Sequence, residues 1–294
     1  MSIELTIRLK AYAEAVNHRL EELLPSENIR PEPLHQAMRY SALAPGKRLR
    51  PSLVMAAAES LGVDGKSVLD AACAVEMVHA FSLIHDDLPA LDNDDLRRGR
   101  PTCHVKFGEA VAILAGDALF AIAFQTLAHG PWPADLIVRA VRKLSVAAGT
   151  FGLVGGETLD ILSEGKAVDA ELLTAIHAGK TGSLFAYCTS VGGLLAGANE
   201  AQVLALSTYG ESLGLAFQIA DDVLNETATA EQLGKSAGSD RDRGKATYPA
   251  LFGVEAARRL ADEAANRAME ALTSARIFSA TLDQMARFAV ERLH

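Results

Sequence analysis

The order of apolar and polar residues along the chain predicts helices almost throughout. In the first segment the apolar residues share one helical stripe, and the charged residues lie largely elsewhere. That stripe consists of Leu5, Leu9, Tyr12, Val16, Leu20 and Leu23. The same spacing predicts further helices at about 52–62, 66–88, 107–129, 133–149, 169–178, 182–196, 200–223, 247–274 and 279–293. Strict alternation of apolar and polar residues between turn residues is missing, so we predict an all-α fold.

Glycine and proline residues separate the predicted helices. They cluster at residues 99–101, 130–133, 152–156 and 234–244. No low-complexity linker or convincing repeat divides the chain, so we expect residues 1–294 to form a single domain. The long polar stretch at 225–243 is the best candidate for a mobile loop.

The composition agrees with closely packed helices. Of the 294 residues, 49% are hydrophobic and only 5% are aromatic, which favours packed helices over a sandwich or a barrel. The net charge of −9 argues against a nucleic-acid-binding surface.

Two further features predict a cytoplasmic protein. Cys73, Cys103 and Cys188 lack a paired spacing, as expected of reduced thiols. The N-terminus has no basic start followed by an apolar stretch, so no signal peptide is expected.

One apolar segment, residues 110–128, is long enough to be weighed as a membrane span. Asp117 and Gln125 are its only strongly polar residues, and it is rich in alanine and glycine rather than leucine. An aspartate near the centre of a span is costly. We therefore predict a central helix of a helical core and no stable membrane span.

The most informative feature is a pair of aspartate clusters, each at the end of an apolar helical stretch. The first cluster contains Asp86, Asp87 and Asp92, and Pro89 frees the chain to bring Asp92 back towards the same ion as the other two. Carboxylates do not collect at the ends of buried helices without a cation to bind.

The second cluster contains Asp221 and Asp222. Gln218 and Asn225 lie three residues before and four residues after Asp221, on the same helical face. Two clusters of oxygen ligands suit several Mg²⁺ ions, which are usually shared with substrate phosphates.

Basic residues in glycine- and proline-bounded segments indicate that the substrate is a highly charged anion. Arginine suits bidentate phosphate contacts, and lysine supplies a point charge. These residues are Lys47, Arg48, Arg50, Arg97, Arg98, Arg100, Lys180, Lys235 and Lys245.

Two other kinds of site are excluded. The Gly-Lys-Thr and Gly-Lys-Ser sequences at 179–181 and 234–236 imitate the end of a nucleotide-binding loop, but Thr174 and Thr229 stand where another glycine is needed. His79, His85, Cys103 and His104 lack the ligand-pair spacing of a closed zinc site.

Taken in order, the motifs closely resemble the trans-isoprenyl diphosphate synthases, and the match covers nearly the whole chain. The motifs are residues 45–51, His79, residues 86–102, Lys180-Thr181-Gly182, Phe217-Gln218, Asp221-Asp222 and residues 244–249. The resemblance implies an isoprenoid-synthase-like bundle of about ten or more helices around a central cavity. It also implies a homodimer and the head-to-tail condensation of an allylic diphosphate with isopentenyl diphosphate.

The resemblance assigns roles position by position. Asp86, Asp92 and Asp221 are the implied Mg²⁺ ligands, for about three ions that Mn²⁺ can replace, with Asp87 and Asp222 in support. The allylic dimethylallyl or geranyl diphosphate is held by Arg97, Lys180 and Lys235, and Lys245 is a further diphosphate-binding candidate. Isopentenyl diphosphate is held by Lys47, Arg50, His79 and Arg98. Lys180, Thr181 and Gln218 are the implied catalytic residues, the last two through oxygen dipoles that face the allylic cation.

The product length follows from the helix before the first cluster. Phe81 and Ser82 lie five and four residues before Asp86. Five residues of helix place Phe81 roughly 7.5 Å below the metals. In the resembling enzymes this level forms the floor under the growing chain. The phenylalanine and two extra residues in the first aspartate motif resemble bacterial-type farnesyl diphosphate synthases. A fifteen-carbon product is therefore expected. A geranylgeranyl or geranyl diphosphate synthase is the alternative.

Three positions depart from the family pattern. Asn225 replaces a usual third aspartate, Pro45 replaces a glycine, and Glu157 replaces a common glutamine. We expect Asn225 to weaken metal binding without abolishing it. The departures leave open a non-catalytic subunit of a heteromeric prenyltransferase.

Overall fold

A computed structural model describes residues 2–227, 245–291 and 293. In these ranges the regular secondary structure is helical apart from one short hairpin, so the all-α prediction is confirmed. The α-helices are α1 (Ile3–Leu23), α2 (Glu32–Ala42), α3 (Leu49–Glu59), α4 (Leu69–Asp86), α5 (Cys103–Phe107), α6 (Glu109–Ala128), α7 (Ala134–Ala148), α8 (Leu153–Ser163), α9 (Ala170–His177), α10 (Ser183–Leu195), α11 (Glu200–Thr227), α12 (Tyr248–Phe252), α13 (Val254–Ser274) and α14 (Ala280–Glu291). A 3₁₀ turn (Gly65–Val68), a π-helical turn (Ala178–Gly182) and the antiparallel strands β1 (Leu96–Arg97) and β2 (Arg100–Pro101) complete the described elements.

The first helix follows directly from its sequence. The hydroxyl of Ser2 caps α1 by accepting a hydrogen bond from the backbone N–H of Leu5. Most of the predicted apolar stripe is buried: Leu5, Tyr12, Val16 and Leu20 face the core. Burial of this face, rather than helix propensity alone, stabilises the segment.

The centre of the fold is formed by two helices that are apolar on nearly every side. Helix α4 packs against α3 and α6, and α10 packs against α3, α7 and α11. A helix that is hydrophobic all round requires such enclosure. The approach of α10 to α3 is so close that a Cβ atom on Gly192 would lie 2.2 Å from the carbonyl oxygen of Val54.

Two segments, Gly65–Asp86 and Glu109–Ala128, are long and apolar enough to cross a membrane, a test that core helices of soluble proteins also pass. The first is mostly buried within the protein. The second, α6, packs against α2 and α4 on one side, while Ile113 and Leu114 on its other side are exposed.

Several predicted boundaries were wrong where tertiary contacts override local preference. The glycine cluster at 152–156 was expected to separate helices, but α8 begins inside it because glycine permits close contact with the π-helical turn. The predicted helix 247–274 is two helices, since Gly253 has a positive φ of 80°. Helix α4 ends at Asp86 rather than at residue 88, and α11 continues to Thr227. Residues 225–227 of the expected loop are therefore helical, and residues 228–243 lie outside the described residues.

Candidate active site

The first aspartate cluster is formed by a reversal of the chain at the end of α4. After Asp86 the backbone turns back through Pro89, and the N–H of Asp92 donates to the carbonyl oxygen of Asp86 at 2.8 Å. The backbone of Asp94 bonds that of Asp87 in the same way, at 3.2 Å. The return of Asp92 towards Asp86 is as the sequence predicted.

Asp87 turns into the fold and holds an arginine. Its side chain is buried, and one of its oxygen atoms accepts a 2.7 Å hydrogen bond from Nε of Arg97 in β1. Burial raises the pKa of Asp87, while the arginine opposes that shift. Asp87 thus anchors Arg97 beside the other aspartates.

Two lysines lie among carboxylates from two parts of the chain. Nζ of Lys180 is 2.7 Å from a carboxylate oxygen of Glu157 and 2.7 Å from one of Asp160, both in α8. Nζ of Lys245 is 3.1 Å from Asp92 and 3.6 Å from Asp160. Burial lowers the pKa of Lys180, but Asp160 and Glu157 outweigh it and raise the pKa overall.

The neighbouring carboxylates disfavour the charged form of Asp86. The pKa of Asp86 is raised to about 7: burial is the largest cause, the carboxylates of Glu157 and Asp92 add to it, and Lys180 and Arg97 act in the opposite direction. A carboxyl group in this state gains from a nearby cation, because the cation favours its charged form.

This donor set fits Mg²⁺ shared with a substrate. Within the part of the chain that the structure describes, no group of three or more His, Cys, Asp or Glu side chains is close enough to hold a metal ion alone. Mg²⁺ usually binds through one or two carboxylates and completes its octahedron with waters and phosphate oxygens. Separate carboxylates around a space bounded by lysines match that mode better than a closed protein site.

The second aspartate cluster is linked to the π-helical turn by hydrogen bonds. The hydroxyl of Thr181 donates to Oε1 of Gln218 at 3.1 Å, and the amide of Gln218 donates to Asp222 at 3.1 Å. Such turns, with five-residue hydrogen-bond spacing, are frequent at functional sites. The chain of bonds fixes which way the amide of Gln218 faces.

Asp222 is held by the surrounding protein. Its carboxylate also accepts from the backbone N–H of Tyr248 at 3.1 Å and lies 3.1 Å from Nε2 of the buried His177. Asp221, the next residue of α11, is only half-buried. The two neighbouring aspartates therefore differ in surroundings, and Asp222 supports Gln218 and the start of α12.

Close backbone contact brings α8 to the π-helical turn. A Cβ atom on Gly156 would lie 2.1 Å from the backbone nitrogen of Lys180, and one on Gly179 would lie 2.9 Å from Cα of Gly156. Only glycine allows this approach, which places Glu157 against Lys180. A groove of about 930 Å³ runs along the same two segments, but neither Lys180 nor Thr181 lines it.

A second group of basic residues meets at the start of α3. Arg50 lies with one terminal nitrogen 3.4 Å from Nε2 of His79, and its buried Nε has no hydrogen-bond partner among the described residues. Arg98 donates to the carbonyl oxygen of Pro45 at 2.6 Å. Lys47, on the same turn, is exposed, with Nζ 5.8 Å from the ring centre of Phe288 in α14.

Burial sets the charge state of this second group. It lowers the pKa of Arg50, and it lowers the pKa of His79 well below its ordinary value, assisted by the positive charges of Arg50 and Arg98. The imidazole of His79 is therefore neutral at neutral pH, beside the half-buried guanidinium of Arg50.

Aromatic side chains form a layer below the first aspartate cluster. The ring of Phe81 lies 4.9 Å from that of Phe120 in α6, which in turn lies 5.1 Å from Phe124. Ser82 is buried, and its hydroxyl donates a 3.0 Å hydrogen bond to the carbonyl oxygen of His79. Phe81 thus belongs to a stack that joins α4 to α6.

The structure adds residues that were not singled out as site residues from the sequence. Asp160, His177 and Tyr248 were missed, and Glu157 was noted only as a departure. Glu157 and Asp160 are three residues apart, which is a helical spacing, but α8 itself was not predicted. Lys235 lies outside the described residues.

The polyprenyl synthetase family matches residues 31–282. The chain belongs to this family. It is 42% identical over 293 residues to the farnesyl diphosphate synthase of Escherichia coli K12, covering 97% of this chain and 98% of that protein. It is 46% identical over 263 residues to geranylgeranyl pyrophosphate synthase 4 of Arabidopsis thaliana, covering 88% of this chain and 70% of that protein.

A solved structure supports the same conclusion. The geranylgeranyl pyrophosphate synthetase of Pyrococcus horikoshii superposes with a TM-score of 0.89 at 34% identity, covering 98% of each chain. The protein is therefore a prenyltransferase, a short-chain trans-isoprenyl diphosphate synthase. Relatives of both product types are similar to it at comparable identity.

The neutral state of His79 predicts a specific pH dependence of stability. Below about pH 6.5 the unfolded chain protonates this histidine while the folded chain does not, so stability is lost as the pH falls. Between pH 7.5 and 5.5, the free energy of unfolding should fall by about 1.4 kcal/mol more in the wild type than in His79→Asn. Urea unfolding at both pH values measures this, and equal losses would contradict it.

Proposed function

We propose that this chain condenses isopentenyl diphosphate head to tail with dimethylallyl and then geranyl diphosphate, giving farnesyl diphosphate. The observation that carries the proposal is the presence of two chemically different groups of basic residues. Lys180 and Lys245 lie among carboxylates, which suits a diphosphate bound through metal ions. Arg50, His79 and Arg98 form the other group, and the orphaned Nε of Arg50 suits an anion bound directly. Two diphosphate substrates need such a pair of sites.

The proposed metal is Mg²⁺, about three ions per site, with Mn²⁺ as a substitute. Asp86, Asp92 and Asp221 are the proposed ligands, and Asp87 and Asp222 support them through the contacts described above. Bound Mg²⁺ would neutralise the charge that develops on the departing diphosphate. The raised pKa of Asp86 and the crowding of carboxylates around it support this assignment.

The allylic diphosphate is proposed to bind Arg97, Lys180 and Lys245, with Lys235 as a further ligand from outside the described residues. Ionisation leaves an allylic cation, which needs oriented dipoles rather than a nucleophile. The hydroxyl of Thr181 and the amide oxygen of Gln218 are suited to this role, because their mutual hydrogen bond and the contact with Asp222 hold them in place.

Isopentenyl diphosphate is proposed to bind Lys47, Arg50, His79 and Arg98. Arg50 is rigidly placed: its guanidinium lies 5.1 Å from the ring centre of Phe185 and next to His79. No ion pair joins Arg50 to a carboxylate within the described ranges, and burial disfavours its charge, so this cation gains from an anionic ligand.

A fifteen-carbon product is supported by the aromatic stack of Phe81, Phe120 and Phe124, with the small buried Ser82 beside it. Three rings in contact leave little freedom for a tail to pass between α4 and α6. A twenty-carbon product is the second candidate, favoured by the similarity to geranylgeranyl diphosphate synthases.

A homodimer in the cytoplasm is also proposed. Apolar side chains remain exposed along α6, α7 and the turn before α8: Leu114 is 56% exposed, Val146 54% and Phe151 89%. Exposed apolar residues grouped on neighbouring helices are typical of a subunit interface.

The proposed activity predicts Mg²⁺-dependent turnover by the purified chain. With isopentenyl and dimethylallyl diphosphates, mass spectrometry should detect a fifteen-carbon diphosphate, and Asp86→Asn should lower kcat/KM by roughly 100-fold or more, several kcal/mol of lost charge stabilisation. Glu263→Gln, on the exposed side of α13, serves as the control. Absence of any product would favour the non-catalytic subunit suggested by Asn225 and Glu157.

The aromatic stack predicts that Phe81 limits chain length. Phe81→Ala should shift the main product to twenty carbons or longer, because truncation opens space for about one isoprene unit. The matched change Phe278→Ala, at a site 78% exposed, should leave the product distribution unchanged. An unaltered fifteen-carbon product from Phe81→Ala would assign the limit to other residues.

The exposed face of α6 predicts the effect of a charge on assembly. Wild type should sediment at twice the 31.1 kDa chain mass, and Leu114→Lys should shift it towards the monomer, because a buried charge at the interface is costly. Leu204→Lys, on the exposed side of α11, is the control. A monomeric wild type would refute the proposed dimer.

A further inference from the structure

Arg48 is a buried arginine for which the proposed reaction has no role. Only 5% of its surface is exposed, and it stands directly before α3 with a φ of 49°, in the left-handed region. Residues other than glycine adopt this conformation at an energetic cost, so surrounding contacts must hold it. The strained position lies between Lys47 and Arg50.

The contacts of Arg48 join three parts of the fold. Its guanidinium donates to Glu76 of α4 at 2.5 Å, to the side chain of Asn17 of α1 at 2.8 Å, and to the carbonyl oxygen of Ala44 at 2.9 Å. Glu76 is also buried, at 4% exposure. A buried ion pair that loses one partner leaves an uncompensated charge, so each residue depends on the other.

The Arg48–Glu76 pair lies next to the second group of basic residues. Glu76 is one helical turn before His79 on α4, and Arg48 is two residues before Arg50. On the other side of the turn, Arg98 reaches Pro45, and a Cβ atom on Gly46 would lie 2.2 Å from its guanidinium. The turn is thus fixed from both sides.

We infer that Arg48 and Glu76 are positioning residues for the isopentenyl diphosphate site. Their buried pair fixes the turn that carries Lys47 and Arg50 against α4, next to His79, before substrate arrives. The inference rests on the proposed function. The allylic site depends on a different set of contacts, among α8, the π-helical turn and Lys245, so it should be affected much less.

The test compares the KM values of one variant for the two substrates. Glu76→Gln keeps the side-chain shape but removes the charge that Arg48 requires, and it should raise the KM for isopentenyl diphosphate about tenfold or more. The KM for geranyl diphosphate and kcat at saturation should stay within about threefold of wild type. Calorimetric titration with isopentenyl diphosphate alone, which cannot react without its allylic partner, should show the same loss of affinity.

The control breaks another ion pair between the same two helices. Asp70→Asn removes the pair with Arg19, which also joins α4 to α1 but lies away from the turn, and it should leave both KM values unchanged. Equal effects of Asp70→Asn and Glu76→Gln, or equal changes in both KM values, would overturn the inference. If Glu76→Gln does not fold, Asn17→Ala removes one hydrogen bond only and should still raise the KM for isopentenyl diphosphate selectively.

The two proposals fail in different ways. A wild type without turnover contradicts the proposed function, and the titration with isopentenyl diphosphate then still decides whether Glu76→Gln weakens its binding. An active wild type whose Glu76→Gln variant keeps the affinity for isopentenyl diphosphate contradicts only the positioning role.

Discussion

Mutual repulsion among carboxylates is the constraint around which this molecule is arranged. Asp86 and Asp92, at and just after the end of α4, meet Glu157 and Asp160 of α8 in one partly buried space, where Glu157 and Asp92 disfavour the charge of Asp86. Lys180 and Lys245 offset part of that repulsion. Their positions in turn depend on the π-helical turn and on the segment leading into α12. The helical bundle thus holds negative charges near each other, an arrangement that stabilises added cations.

In the second group of basic residues, positive rather than negative charges lie close together. Arg50 and Arg98 lie close to a histidine that burial keeps neutral, and a buried arginine–glutamate pair lies next to them. A cation whose own charge is disfavoured by burial binds an anion without help from metal ions. The contrast between the two groups supports the proposal of two diphosphate sites rather than one long site.

Departures from regular helix occur where the chemistry requires them. The reversal after Asp86, the π-helical turn at Lys180 and the left-handed Arg48 each place a side chain where a continuous helix could not. The regular parts of the same helices, α4 and α10, supply the rigid core against which these irregular turns are held.

The all-α fold, most helices and the chemical types of the site were predictable from the sequence, because helical periodicity and the local spacing of aspartates are properties of a short segment. The reversal that returns Asp92 to Asp86 was predictable from Pro89 for the same reason. Helix α8 was not predictable, since its glycines disfavour a helix locally and are favourable only through the contact of Gly156 with Lys180. Likewise, the inward turn of Asp222 to His177 and the pairing of Arg48 with Glu76 depend on how the helices pack in the folded chain. These contacts join residues tens of positions apart, and their energy depends on burial and on partners that no local pattern contains.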